Sequence, residues 1–222
     1  MAETLIRLRG VGKTYPPGAT GAGRLRTLLA LLRDAPQEEG FHALRDINLD
    51  VRRGESLGLI GMNGAGKSTL MKIVAGVVRP SDGEVHIKAR ISALLELGAG
   101  FHPEYSGRQN VFLASALMGI PERETRERLD DILAFADIGK HIEEPVKHYS
   151  SGMVVRLGFA VATAMKPDVL VTDEVLAVGD ESFQRKCVAW MEDYLSGGGT
   201  LLLCSHSMYH IEKLCRHAAW ID

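Results

Sequence analysis

Apolar residues recur along this chain in two rhythms. Short stretches that alternate apolar with polar positions, or are apolar throughout, predict strands; apolar residues every three to four positions predict helices. Residues 4–8 alternate and predict a first strand, closed by Gly12-Lys13-Thr14-Tyr15-Pro16-Pro17. Residues 43–51 (A-L-R-D-I-N-L-D-V) alternate as a half-buried strand, and a turn at Arg53-Gly54 leads into the apolar run 56–60. A helix beginning near Lys67 continues through residues 70–75, with Gly76 as its C-cap and R-P-S-D-G at 79–83 as turn chemistry. Residues 84–88 and 90–95 predict two strands, and 96–104 a loop. Ser106 caps a helix to about residue 118. Pro121 is read as the first residue of a helix continuing over 122–135, with Leu129, Ile132 and Leu133 on one face. A helix opens at Tyr149–Met153 and runs to about residue 165. A buried strand over 168–174 ends in Asp173-Glu174, a helix covers 183–195, and a last buried strand, 201–204, ends at Ser205-His206.

Strands therefore alternate with helices, which predicts an α/β fold with a mostly parallel sheet. The polar residues collect where strands end, the edge at which such sheets bind ligands. Residues 16–40 break the pattern. Gly, Pro, Ala and Thr precede R-L-R-T-L-L-A-L-L-R at 24–33, followed by a polar linker. The leucines of that insert suit either an interfacial segment or an ordinary surface helix.

Composition narrows this further. A chain of 222 residues with 45% hydrophobic content has enough material for one large α/β domain with a small lobe. A formal charge of −2 supplies no basic footprint, so nucleic acid is not an expected partner. Cys187, Cys204 and Cys215 have neither zinc nor redox spacing and read as small buried hydrophobes of a reducing compartment. No stretch approaches the length of a membrane span and no signal peptide opens the chain, so it is expected to be soluble by itself.

The chemistry centres on residues 61–69, G-M-N-G-A-G-K-S-T, set between the apolar run 56–60 and the helix that follows. This is the P-loop pattern. Gly61, Gly64 and Gly66, with Asn63 and Ala65, let the backbone curl so that N–H groups point at phosphate oxygens. The following helix places its positive dipole end beneath them. Lys67 reaches the β- and γ-phosphates, and the Ser68 hydroxyl, beside Thr69, ligates Mg²⁺. The alternative is a glycine-rich turn that only joins a strand to a helix, but strand context, spacing and the Lys-Ser pair agree against it. The motif implies a nucleoside triphosphate. Asp173, ending its strand, can hold Mg²⁺ opposite Ser68, and Glu174 can polarise an attacking water as general base. His206 can donate to the γ-phosphate; taken alone, a single His is usually structural. Tyr15 can stack on a base, although a Tyr before Pro is also a common turn residue. His206 and His210 lack an acid at zincin spacing and are not read as a metal pair.

Order and spacing together resemble the ATP-binding subunit of ABC transporters over nearly the whole chain. Residues 61–69 match Walker A, 169–173 match Walker B and Glu174 the catalytic glutamate. Asp180 in V-G-D resembles the D-loop aspartate, His206 the switch histidine, and Tyr15 the adenine-stacking aromatic. Tyr149-Ser150-Ser151-Gly152-Met153 lies where the family carries L-S-G-G-Q, with Ser150 and Gly152 matching. The Y-S-S-G-M variant, V-L-A-V-G-D after Glu174, the insert after Tyr15 and L-E-L-G-A-G-F-H-P-E occur together in the subgroup that exports lipid-linked polysaccharides: O-antigen, capsule and teichoic acid. One departure stands out. The usual loop glutamine is missing: Glu96 or Leu97 takes its place, and the next Gln is Gln109.

The resemblance implies a P-loop NTPase of ABC ATPase type, with a mostly parallel core sheet, an antiparallel β lobe and a helical lobe over about residues 105–165. It implies ATP and Mg²⁺ as cofactors. It also implies a head-to-tail homodimer with ATP between the P-loop of one copy and Ser150, Ser151 and Gly152 of the other. The expected partners are a polytopic permease and a lipid-linked polysaccharide, at the cytoplasmic face of a bacterial inner membrane. The chain stops at Trp220-Ile221-Asp222, mid-motif for the family, so a longer protein is expected. Rival readings are a soluble ABC ATPase acting on ribosomes or DNA, an ABC ATPase for another exported substrate, and a small-molecule kinase. The first lacks the second cassette or coiled coil such proteins carry; the kinase would need an acceptor pocket in place of residues 150–153. Residues 96–104 are apolar for a loop, through Leu97, Ala99 and Phe101. Such a loop either packs on its own helical lobe or faces a membrane partner or the entering lipid-linked sugar.

Overall fold

The computed structural model describes residues 2–16, 40–95, 97–164, 166–173, 180–205 and 207–222. The 24–33 segment, Glu96, Glu174 and His206 lie outside the described residues.

Two sheets share one core. β1 (Thr4–Tyr15), β2 (Phe41–Arg52) and β4 (Asp82–Ile87) form an antiparallel sheet in the order β2-β1-β4. β3 (Ser56–Gly61), β5 (Ile91–Leu94), β6 (Val169–Asp173), β7 (Thr200–Cys204) and β8 (His217–Ile221) form a parallel sheet ordered β5-β6-β7-β3-β8. Side chains on the parallel strands alternate between its two faces. Val169, Val171, Leu202 and Cys204 join Leu70, Met71, Ile73 and Val74 of α1 (Lys67–Val74) in the core shared with the antiparallel sheet. Leu170, Leu201 and Leu203 face the other way, onto Phe159, Phe183 and Met191. Both faces are covered, which is why these strands are apolar throughout rather than alternating. Those three side chains come from α4 (Ser151–Thr163) and α5 (Glu181–Ser196).

A third cluster belongs to the helical lobe. α2 (Gly107–Leu117) and α3 (Glu122–Ala136) pack on α4 through Val111, Ala114, Ile132, Leu157 and Val161. Ser106 caps α2 as its sequence predicts, and Gln109 completes a capping box from the third helical position. Gln109 is thereby occupied as a cap. Pro121 is the N-cap of α3 rather than its first residue, with Glu122 and Glu124 at the dipole-positive end.

The edge sheet departs from the sequence reading in an instructive way. β1 does not stop at Leu8. Leu8 pairs with Leu49 and Val11 with Ile47, three steps on β1 against two on β2, a bulge at the position of Gly10, whose φ is 58°. The compensating bulge lies in β2, where Val11–Lys13 spans two steps against three from Ile47 to Leu44, and Asp46 has a φ of 48°. The alternation of residues 43–51 is therefore broken, and Leu44 and Ile47, three apart, both reach the same core. With a further shift in β2 between the pairs Lys13–Leu44 and Thr14–His42, these bulges let β1 continue to Tyr15. The predicted strands at 84–88 and 90–95 enter different sheets, β4 the antiparallel and β5 the parallel one. α6 (Met208–Leu214) and β8 follow where no element was predicted.

Candidate nucleotide site

Gly61 ends β3 beside β8, so close that a Cβ there would collide with the Ile221 carbonyl. The chain then curls through Gly64 and Gly66, with φ angles of 87° and 91°, a region open to glycine. A Cβ on Gly66 would strike the Ala43 carbonyl, so β2 presses directly on the loop. Gly66 is the N-cap of α1. It provides no side-chain cap, and no acidic residue lies in the helix's first turn. Among the described residues the first N–H groups of α1 thus have no side-chain acceptor at the dipole-positive end, the arrangement that holds anions. Lys67 is only 6% exposed, and its Nζ donates to the carbonyls of Gly61 and Met62 at 2.8 and 2.9 Å. The ammonium is held at the loop.

Around this loop is a cleft of about 480 Å³. Asn63, Gly64, Gly66, Lys67, Ser68 and Thr69 line it from the loop and helix. Asp173 reaches it from the end of β6, and Tyr15 from the end of β1. Three distant stretches of sequence thereby meet at one opening, at the carboxyl ends of the strands. Phe41 and Ala43 of β2 also line it. The sequence pattern does not single out Phe41, an aromatic directly after the insert. Gly61 and Ala65 shape the loop without lining the cleft. Glu174 and His206, the catalytic residues expected from the sequence, lie outside the described residues; the first follows Asp173, which ends β6, and the second follows Ser205, one residue past β7.

The remaining predicted residues stand elsewhere. Ser150 is the N-cap of α4, its Oγ accepting from the Met153 N–H, and Ser151 is the first residue of that helix. Among the described residues, a Cβ on Gly152 would meet the Ser150 Oγ at 3.8 Å, an ordinary contact. Asp180 is the N-cap of α5: its carboxylate accepts from the Ser182 hydroxyl, the Arg156 guanidinium and the Phe183 N–H, which together hold it well below the usual carboxylate range.

A family model described as ABC transporter matches residues 44–177. The chain belongs to the ABC transporter family. An O-antigen export system ATP-binding protein, RfbB of Myxococcus xanthus, is 51% identical over 180 residues, covering 81% of this chain and 41% of that relative. The protein of the same name from Klebsiella pneumoniae is 46% identical over 223 residues, covering 99% of this chain and 91% of the relative. A teichoic acids export ATP-binding protein, TagH of Levilactobacillus brevis, is 40% identical over 216 residues, 97% of this chain and 59% of the relative. The chain thus spans less than half of one of these relatives and nearly all of another. Among solved structures, an ATP-binding subunit of an ABC transporter superposes with a TM-score of 0.78 at 21% identity, covering 98% of this chain and 86% of that one. A dimeric cassette, MJ0796, described in a post-hydrolysis state with ADP and Pi, gives 0.76 at 20% identity, covering 98% and 94%. The fold is that of an ABC ATPase cassette.

Tyr149 is the residue expected from the sequence to stand where the family carries its first signature leucine. Its hydroxyl donates to the His141 carbonyl at 2.7 Å and is pushed up to about 12 by burial. The ring packs on the helical-lobe core, so the departure is accommodated by the lobe. Leu97 packs beside the cluster around Phe159, and Phe101 on the helical lobe. Gly98, with a φ of 82°, lies so near Val154 that a Cβ would collide. Of the two roles open to residues 96–104, packing on the protein's own interior is the one these contacts serve. Among the described residues no helix is long and apolar enough to cross a membrane.

Proposed function

We propose that the chain is the ATP-hydrolysing subunit of an exporter of lipid-linked polysaccharide. It works as a homodimer with a transmembrane permease, peripherally at the cytoplasmic face of the membrane. The observation that carries the nucleotide part is the single cleft that unites Lys67 and the uncapped start of α1 with Ser68, Asp173 and Tyr15. The relatives named for O-antigen and teichoic acid export support the polymer as cargo.

The residues present fit a magnesium ion delivered with the nucleotide. Ser68 and Asp173 bring one hydroxyl and one carboxylate to the cleft, and no group of three His, Cys, Asp or Glu converges as a metal cage among the described residues. Mg²⁺ takes most of its ligands from phosphates and water, so two protein ligands suffice. Bound there, it would neutralise charge on the transferring phosphates. The chain's own groups do the rest. N–H groups of residues 64–69 hold the phosphates, Lys67 moves from its two carbonyls to phosphate oxygen, and Tyr15 carries the base. Glu174 takes a proton from the attacking water, and His206 donates to the γ-phosphate. Ser150, Ser151 and Gly152 of a second copy, at the open N-terminus of α4, close over the same phosphate, with Asp180 at that interface. ATP then holds the two copies together and hydrolysis releases them, a cycle that can drive a membrane partner.

The test is paired. The purified chain should hydrolyse MgATP, and cells lacking the gene should regain surface polysaccharide with the wild type but not with Lys67→Ala. A chain with ATPase activity that never affects surface polysaccharide would overturn the cargo while leaving the enzyme.

A further inference from the structure

The ladder between β1 and β2 closes on the pair Tyr15 and Phe41. Residues directly opposite in an antiparallel pair project from the same face of the sheet. Both rings therefore stand over one surface, and both line the cleft that holds Lys67 and Ser68. Phe41 is 65% exposed, so its ring is open to a ligand at the mouth of the cleft.

Its position is well determined by its neighbours. A Cβ on Gly40 would come within 2.7 Å of both the Tyr15 carbonyl oxygen and the Thr14 Cγ2, so the chain entering β2 is pressed against the end of β1. The pair one step in is tied as well, Thr14 Oγ1 lying 2.9 Å from His42 Nδ1. Tyr15 is also oriented. The Lys13 ammonium sits 5.2 Å from its ring centroid while donating to the Arg79 carbonyl at 2.9 Å. With a cation over one face of Tyr15, the other face is left for a ligand. The cleft thus has a polar end at the loop and an aromatic end at the close of the β1–β2 ladder.

We infer that Phe41 is a second nucleobase-binding residue, which with Tyr15 forms a two-ring platform for the base of the nucleotide. The inference rests on the nucleotide reading of the cleft. Base–aromatic stacking is strong enough to show clearly in binding and is indifferent to hydrogen-bonding pattern. The ring is exposed until a base covers it, and covering it removes apolar surface from water that folding left open.

The experiment measures affinity of the full chain for MgATP and for Mg-tripolyphosphate, which shares the phosphates and lacks the base. Phe41→Ala is expected to weaken MgATP roughly tenfold, within the range of a lost stacking contact. Tripolyphosphate affinity should stay as in the wild type, and Phe41→Trp should restore ATP binding. Because the side chain is largely exposed, the substitution leaves the core intact, which a melting curve checks. Unchanged ATP affinity in Phe41→Ala, or an equal loss for ATP and tripolyphosphate, overturns the inference. The underlying nucleotide site is judged separately, by whether Lys67→Ala abolishes binding of both ligands.

Discussion

The guanidinium of Arg156 donates to the Asp180 carboxylate at 2.8 Å, joining α4 to the N-cap of α5. Arg156 also donates to the Asp137 carbonyl at the end of α3, at 3.1 Å, and lies 5.0 Å over the Phe183 ring. One side chain thus ties two helices of the helical lobe to the start of α5 on the sheet. Arg156→Ala should lower the melting temperature by several degrees. Arg156→Lys should recover only part of the loss, since a point charge cannot serve the carboxylate and the carbonyl from one planar fork. Equal melting of both variants and the wild type would refute the tie.

The same pair carries a pH dependence. The Asp180 carboxyl is held below its ordinary value, first by the Ser182 hydroxyl, then by Arg156 and the Phe183 N–H. A depressed carboxylate contributes stability that is complete above the unfolded pKa, about 4 for Asp. That contribution fades as pH falls through the lower folded value. Asp180→Asn keeps a capping oxygen and removes the titration. The stability gap between wild type and Asp180→Asn should therefore be constant near neutrality and narrow in acid, read from denaturant midpoints between neutral pH and the acid limb. A gap that widens in acid would contradict the sign.

At the loop, Gly66→Ala combines a φ of 91° with a collision against the Ala43 carbonyl. Backbone strain of this kind costs about 1–3 kcal/mol before the clash is counted. The variant should lose nucleotide binding along with stability, whereas Lys67→Ala should lose binding with much less effect on the melting curve.

Glu174→Gln should bind ATP and hydrolyse it very slowly. It should then accumulate as an ATP-held dimer visible by size-exclusion chromatography. A variant that stays monomeric at all ATP concentrations counts against the sandwich, and one with normal turnover counts against Glu174 as the base.

Phe101 packs on the helical-lobe core while remaining partly accessible. Phe101→Ala should cost about 1–3 kcal/mol, below the range of fully buried rings. An export defect in that variant without any loss of stability would place the loop in coupling to a membrane partner instead.

The cysteines offer a last check. Burial pushes the thiols of Cys187 and Cys215 up to about 12, so neither is a thiolate at neutral pH. Cys187 is buried and Cys215 partly accessible, so aromatic disulfide reagents should label Cys187 at the rate of unfolding, and its fast labelling in the native chain would show that this site opens.

What could be read without coordinates was local or periodic. The P-loop is a contiguous motif whose glycines answer to backbone angles within a few residues, and the runs ending at Asp173 and Cys204 are apolar because both faces of a parallel sheet are covered. Capping by Ser106 follows from a side chain that reaches only the next turn, whereas the caps at Ser150 and Asp180 emerged with the structure. Contacts between distant segments had no such trace. The phase slip that carries β1 on to Tyr15 needs bulges in both strands, and alternation counted along one strand cannot reveal how its partner is offset. Phe41 became a candidate only when the ladder set it opposite Tyr15. The strand formed by His217–Ile221 exists because Gly61 leaves room for its backbone, a fact of packing 160 residues away in the chain. Gln109, Leu97 and Phe101 took their places through a cap and two cores, because burial is a property of the assembled fold and the residue type alone does not assign it.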